Sequence, residues 1–332
     1  MANLTLSNPF LSFDALPDWN WAPAAATSTS ITYTNGAQKI VLTGEFVVTA
    51  DTMPSGRVTE VSFLQASTEV FKVTGLELSA AMLTNLIDNV TDSRQTFAYL
   101  LGGNDTIKGT NYNDQLYGYA GDDTIQAGMG NDIIIGGPGN DTIDGGIEID
   151  TVRYTGAIAD YKIERTTGGV SVTDLKGDSG TDTLVNVERV QFGDKIFLPV
   201  DVTGASGQLF RLYQAALDRK PDADGMNYWE AQMERGLYKV ENIAQEFIKS
   251  AEYQKLYGSG LTNAELVGKY YEHILHRTGE KAGIDFWAGV LDSHAATNAQ
   301  VLAAISDSPE NVQQSVALIG TGLVVDIPVI TI

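Results

Sequence analysis

Between Ile31 and Val73 apolar and polar residues alternate with a period of two, the pattern of strands with one buried face. The segment ITYTNGAQKIVL places Asn35-Gly36 between two β-prone runs and predicts a hairpin turn there, with both turn residues at positive φ. A second pair, EFVVTADTMPSGRVTEVSFL, is expected to turn at Pro54-Ser55-Gly56. At LSAAMLTNLIDNV the period changes. Ser79 can cap a helix, and Met82, Leu83, Leu86 and Ile87 fall on one helical face. Residues 1–100 are therefore expected to form a small β-rich domain with a short helix.

From Leu101 to Arg153 the pattern is a repeat. Asp105, Asp114, Asp123, Asp132, Asp141 and Asp150 stand nine residues apart. Two residues after each comes an aliphatic: Ile107, Leu116, Ile125, Ile134, Ile143 and Val152. One inward aliphatic per nine residues fits a short strand and a tight glycine turn, so that two repeats make one coil of a parallel β-roll. Alternate turns then share an edge, with Asp105, Asp123 and Asp141 on one side and Asp114, Asp132 and Asp150 on the other.

After the roll, DYKIERTTGGVSVTDLKGDSGTDTLVNVERVQFGDKIFL alternates again and is expected to cover the end of the stack as a β cap, residues 154–200. Pro199 to Gly207 reads as a linker. From Gln208 to about Val312 the period is helical, and the sequence repeats at a shift of 58 residues. Tyr213 matches Tyr271, Leu217 matches Leu275, Arg219 matches Arg277, Gly225 matches Gly283 and Trp229 matches Trp287. Further on, Phe247 matches Ile305, Ser250 matches Ser308 and Glu252 matches Glu310. Packing explains these positions: the tryptophans anchor each unit, the glycines turn the chain, and the arginines hold carbonyls or carboxylates. The tail is placed at residues 313–332, and its last stretch, GTGLVVDIPVITI, is apolar and β-branched and reads as an edge strand or a secretion signal. The fold class is thus mixed and multi-domain: an N-terminal β domain (1–100), a parallel β-roll (101–153) with its cap, and an all-α duplicated domain (208–312).

Charge narrows the chemistry. The chain carries 42 acidic against 21 basic residues, a net charge of -21, which repels nucleic acid and anionic membranes and favours cations. Between Leu101 and Asp150 the one basic residue is Lys108. Carboxylates one sheet spacing apart repel by on the order of 3 kcal/mol at an effective dielectric of 20, a cost that a hard divalent cation reverses. Calcium suits carboxylates and turn carbonyls in flexible geometry, whereas magnesium wants a tight octahedron. Zinc is poorly served, the tract having no His and the chain no Cys. The N-terminus MANLTLSNPFLSF has no basic or continuous apolar signal region, so the protein is expected either to stay inside or to leave by a route that does not read it.

In the turns, GGPGNDTID, AGMGNDIII and GYAGDDTIQ resemble the nonapeptide G-G-x-G-x-D-x-aliphatic-x of RTX (repeats-in-toxin) proteins, which bind calcium and leave bacteria by type I secretion. The match weakens at GTNYNDQLY, where Tyr112 takes a glycine place, and at GGIEIDTVR, where Glu148 does. The resemblance implies a metal set of Asp105, Asp114, Asp123, Asp132, Asp141 and Asp150 with turn residues Gly103, Asn104, Gly121, Asp122, Gly130, Asn131, Gly139 and Asn140. It would hold roughly four calcium ions, between Asp105 and Asp123, Asp123 and Asp141, Asp114 and Asp132, and Asp132 and Asp150. LYQAALDRKPDADGMNYW and YYEHILHRTGEKAGIDFW resemble the helical domain of unknown function that accompanies such repeats.

Catalytic motifs are lacking. His273, His276 and His294 all lie in the second helical unit, where His273 and His276 read as a surface pair whose repeat mates are Ala215 and Asp218. GDSG at Gly177 to Gly180 looks like a serine-protease nucleophile motif, but a triad needs a histidine base and none is near it in sequence. The expected function is non-enzymatic: a secreted calcium-binding protein of the cell surface or extracellular matrix, such as a surface-layer, biofilm or adhesin subunit. Its expected partners are calcium, the type I export machinery, cell-surface polysaccharide and further copies of itself, joined through NPFLSFDALPDWNW and LVVDIPVITI. The alternative is a polysaccharide-active enzyme or sugar-binding module that uses the roll as a scaffold.

Overall fold

The computed structural model describes residues 2–6, 22–49, 52–89, 93–177 and 179–326. The aromatic segment NPFLSFDALPDWNW and the last residues of the tail lie outside these. The chain divides into two compact units, Met1–Lys195 and Ile196–Ile332.

In the first unit β1 (Asn3–Leu6), β2 (Ala22–Ala26), β3 (Ser30–Asn35), β4 (Gln38–Thr49), β5 (Thr52–Gln65) and β6 (Thr68–Ser79) form an antiparallel sheet in the order β1-β6-β5-β4-β3-β2. Its inward residues, among them Ile31, Tyr33, Leu42, Val61, Phe63, Phe71 and Val73, are buried. Helices α1 (Ala80–Asn89) and α2 (Ser93–Leu100) cover this face, with Phe71 stacked on Phe63 at 5.2 Å and meeting Phe97 edge-on at 5.3 Å. Ser79 caps α1, its hydroxyl accepting the Met82 N–H. The buried stripe is Ala80, Leu83, Thr84 and Ile87, whereas Met82 turns to solvent.

Both hairpins occur, but their turns are displaced from the expected places. Asn35 pairs with Gln38, so the first turn is Gly36-Ala37, and only Gly36 has positive φ (63°). That is the glycine-first arrangement of a II′ turn. In the second, Thr49 pairs with Thr52 and Ser55 with Val47. Pro54-Ser55-Gly56 therefore lies inside β5 and not at a turn. Gly56 is needed for close approach, since a Cβ there would lie 2.0 Å from the Glu45 carbonyl oxygen.

The roll follows as expected. Strands β7 (Thr106–Lys108), β9 (Thr124–Met129) and β11 (Thr142–Ile147) stack in parallel on one side; β8 (Gln115–Tyr117), β10 (Ile133–Ile135) and β12 (Thr151–Arg153) stack on the other. Ile107, Ile125 and Ile143 pair in register, as do Leu116, Ile134 and Val152, and all six are at most 1% exposed. β1 is the link to the preceding sheet: Leu4 pairs antiparallel with Val73 and parallel with Ile107.

The cap begins with a hairpin, β13 (Tyr161–Thr166) and β14 (Gly169–Asp174), and then returns to the roll. β15 (Thr181–Val185) adds to β11 in parallel, and β16 (Arg189–Gln191) adds to β12 in parallel.

Among its described residues the second unit contains β17 (Lys195–Pro199) beside β18 (Gly322–Asp326) and eight helices. These are α3 (Ala205–Leu217), α4 (Ala223–Glu234), α5 (Val240–Ile248), α6 (Ala251–Tyr257), α7 (Asn263–Ile274), α8 (Lys281–Asp292), α9 (Asn298–Ser306) and α10 (Pro309–Ile319). The first four begin 58 residues before the last four. Gly225 and Gly283 do not turn the chain; they lie in the first turns of α4 and α8, where a Cβ would meet the Tyr213 and Tyr271 hydroxyls at 2.4 and 2.3 Å. Arg219 and Arg277 sit over those same tyrosine rings and pair with Glu252 and Glu310. Pro199 to Gly207 is no free linker: Val200, Ser206 and Gly207 are buried, and Ser206 Oγ accepts the Asp201 N–H. Among the described residues no helix is long and apolar enough to cross a membrane.

Candidate metal centre

The turns between roll strands are tight because glycine lets the coils approach. At Gly139, φ is 140° and a Cβ would lie 2.1 Å from the Gly121 carbonyl oxygen of the coil before. At Gly136 a Cβ would lie 2.1 Å from Asp141 Oδ2. Any side chain there would fill the space the aspartate looks into.

The aspartates form two ladders along the roll. On one edge Asp105 N–H donates to Asp123 Oδ1 at 2.8 Å and Asp123 N–H to Asp141 Oδ1 at 2.9 Å. On the other, Asp114 N–H donates to Asp132 Oδ1 at 2.7 Å and Asp132 N–H to Asp150 Oδ1 at 2.9 Å. The ladders continue beyond the six repeats: Ala2 N–H donates to Asp105, Asp141 N–H to Asp182 Oδ1 at 2.9 Å and Asp150 N–H to Glu188 Oε2 at 2.8 Å.

Residues just before the aspartates make an outer ladder of opposite polarity. Asp122 N–H donates to Asn104 Oδ1, Asn140 N–H to Asp122 Oδ1 and Thr181 N–H to Asn140 Oδ1, at 2.8 to 2.9 Å. Across the roll, Asn131 N–H donates to Asn113 Oδ1 at 2.9 Å and Ile149 N–H to Asn131 Oδ1 at 3.0 Å. Asn104, Asp122, Asn131 and Asn140 are exposed, and these side chains join coil to coil. Gly103, Gly121, Gly130 and Gly139 stand one residue earlier and bring only backbone.

The second oxygen of each aspartate carries the chemistry. Oδ2 of Asp105, Asp123, Asp132 and Asp141 is buried and accepts no hydrogen bond, and these residues are 1–4% exposed. Burial lifts the Asp105 carboxyl above its usual range, and pushes Asp123 and Asp132 up to about 7 and Asp141 to about 6; neighbouring carboxylates add to the effect at Asp123. A buried carboxylate oxygen without a donor is costly. Protonation or a cation relieves it.

The donors fit a hard cation. Among the described residues no group of three or more His, Cys, Asp or Glu side chains converges, so one or two aspartates per turn would have to be completed by backbone carbonyls. That mixture suits calcium, which accepts six to eight oxygens in flexible geometry. Bound there, calcium would supply the positive charge that lets the ladder exist ionised.

Other sequence candidates are placed as follows. The Ser179 hydroxyl of GDSG is bonded to Asp174, and Gly180 packs on the Gly139 carbonyl as part of a roll turn. His273 and His276 line a cavity of about 330 Å³ together with their repeat mates Ala215 and Asp218. Asp218 and His276 hold equivalent left-handed positions, φ 51° and 52°. His294 Nδ1 lies 3.1 Å from the Leu291 carbonyl oxygen of its own helix end. Sequence reasoning missed Asp182 and Glu188. The signal for Asp182 was GTDTLV, which repeats the order of GNDTID after an inserted hairpin.

Comparison with known proteins agrees with this geometry. Residues 101–134 and 124–152 match the RTX calcium-binding nonapeptide repeat (4 copies), and residues 209–254 and 244–315 match a domain of unknown function, DUF4214. Among solved structures, the chain is similar to the extracellular lipase LipA from Serratia marcescens, at 23% identity over 31% of this chain and 16% of the lipase, with a TM-score of 0.14. No curated protein matches. The chain therefore carries RTX calcium-binding nonapeptide repeats between residues 101 and 152, followed by a DUF4214 region between residues 209 and 315.

Proposed function

We propose that this is a secreted, non-enzymatic calcium-binding protein of the bacterial cell surface or extracellular matrix, a surface-layer, biofilm or adhesin subunit whose roll folds on meeting calcium outside the cell. Asp105, Asp123, Asp132 and Asp141, with the carbonyls of their turns, hold the ions. The observation that carries the reading is the row of buried Oδ2 atoms without a donor, two of which, on Asp123 and Asp141, face Gly118 and Gly136, where a Cβ would lie 2.5 and 2.1 Å away.

In a calcium-poor cytosol these carboxylates repel one another and the roll stays open, which suits export of an unfolded chain. At extracellular calcium, binding energy becomes folding energy. Among the described residues β2 ends one sheet and β18 another, and such edges then offer backbone groups to another copy. Titration with calcium, followed by circular dichroism and light scattering, tests both halves. Strand signal should rise with calcium, and particle size should rise with it. A chain already fully folded in chelator contradicts the folding half; monomers at every calcium level contradict the assembly half.

A further inference from the structure

The roll does not stop at its last recognised repeat. Gly180-Thr181-Asp182-Thr183-Leu184 repeats the order of Gly139-Asn140-Asp141-Thr142-Ile143. Asp182 takes the Asp141 N–H as Asp141 takes that of Asp123, both at 2.9 Å. Thr181 continues the outer ladder, and Leu184, 1% exposed, pairs with Ile143 in the core stack. Asp182 thus holds the aspartate place of a further coil, 41 residues after Asp141.

Its outer oxygen, however, is occupied. The Tyr154 hydroxyl donates to Asp182 Oδ2 at 2.6 Å, and the Tyr154 ring is held against Phe192 and Tyr161 at 5.5 and 5.1 Å. On the opposite edge, at the other end of the roll, Asp114 Oδ2 takes the Thr110 N–H at 2.6 Å and the Thr110 hydroxyl at 2.8 Å. Between these ends Asp105, Asp123, Asp132 and Asp141 have no donor at Oδ2.

We infer that Tyr154 and Thr110 are stops: their hydroxyls stand in for a cation at the two ends, so calcium is not taken through the outer oxygens of Asp182 and Asp114. The inference rests on the calcium reading of the roll and sets its limits. For calcium to reach Asp182 it must displace a hydroxyl fixed by an aromatic cluster, whereas at Asp123 nothing has to leave. The Asp182 coil then forms without metal and gives the calcium-dependent coils an end to stack on. Sequence register alone would count Asp114 with the other ligands; its filled oxygen separates it.

Calcium titration calorimetry on the full chain tests this with D123N, D182N and Y154F. D182N keeps an oxygen for the Asp141 N–H and an amide group for the Tyr154 oxygen, so it should fold and bind calcium within twofold of the parent, with the same stoichiometry. D123N should bind at least tenfold more weakly or lose an equivalent. Y154F keeps the ring packing, frees the Asp182 oxygen and should gain about one equivalent of calcium. Loss of calcium in D182N, with the calcium-saturated circular dichroism spectrum unchanged, overturns the inference. An unchanged stoichiometry in Y154F overturns the part given to Tyr154. A parent chain that binds no calcium is a different result, and it removes the underlying reading.

Discussion

Replacing Asp123 by Asn should change stability in opposite directions with and without calcium. The amide oxygen can still accept the Asp105 N–H that Asp123 Oδ1 takes at 2.8 Å, so the ladder is kept and only the charge is lost. Burial pushes the folded carboxyl up to about 7 from its ordinary 3.8. A raised carboxyl means that the folded state binds the proton more tightly than the unfolded chain, so metal-free stability falls as pH rises from about 4 to about 7. At about 1.4 kcal/mol per unit the full cost near pH 8 is about 4 kcal/mol, and water reaching the turn edge cuts it to about 2. D123N removes that cost, so in chelator at pH 8 it should be stabilised by about 2 kcal/mol, and at pH 5 by much less. In calcium the sign reverses. At a concentration of about 1,000 times Kd one site contributes about 4.1 kcal/mol and a thousandfold weaker site about 0.4, so the loss of about 3.7 outweighs the gain of about 2 and leaves D123N less stable than the parent by about 2 kcal/mol. The strand signal of the roll by circular dichroism in chelator at both pH values, which reports its metal-free folded fraction, and urea denaturation in calcium at both pH values measure all four cases. Equal destabilisation of D123N in calcium and in chelator would refute the reasoning, since it would make the carboxylate a structural group and not a ligand.

Further outcomes follow from the same geometry. Gly136→Ala should abolish calcium-induced folding of the roll, because its Cβ would lie 2.1 Å from Asp141 Oδ2; calcium titration by circular dichroism checks it. Ile134→Ala should cost about 3 kcal/mol in calcium, since Ile134 is fully buried and each turn of the roll has one such residue; urea denaturation measures the loss. Calcium affinity should fall as pH drops from about 7 to 5, where protons compete for Asp123, Asp132 and Asp141, and the metal-free roll should gain strand signal over the same interval. In the helical unit Asp307→Ala takes the carboxylate from Arg211, 1% exposed, whose guanidinium also donates to the Val202 carbonyl, and should lower stability by about 3 kcal/mol in thermal denaturation without changing calcium stoichiometry.

The roll was legible because its register is unbroken: a nine-residue period fixes both which aliphatics stack and which aspartates share an edge. The helical duplication was legible for the same reason, although Gly225 and Gly283 were misread, since nothing in the sequence says that a tyrosine hydroxyl will lie against them. Local turns were less legible. Ala66 and Ser67 both adopt positive φ between β5 and β6 without a glycine to announce it, while Gly36 turned the first hairpin one residue later than Asn35-Gly36 implies. Long-range pairing was hidden altogether. No local pattern shows that Leu4 bridges Val73 and Ile107, or that Asp182 rejoins the ladder after a hairpin has carried the chain away. Nor does residue type reveal which carboxylates are already satisfied: Asp114 and Asp123 look alike in the repeat, and only the placement of Thr110 separates them.

The central claim is that calcium and the roll fold as one event. Hydrogen exchange of the full chain, in calcium and in chelator, tests it most directly. The account predicts that Ile107, Ile125, Ile134, Ile143 and their neighbours are protected only in calcium, while the buried helices α3, α5, α7 and α9 are protected in both. Equal protection of the roll in chelator at neutral pH would contradict it.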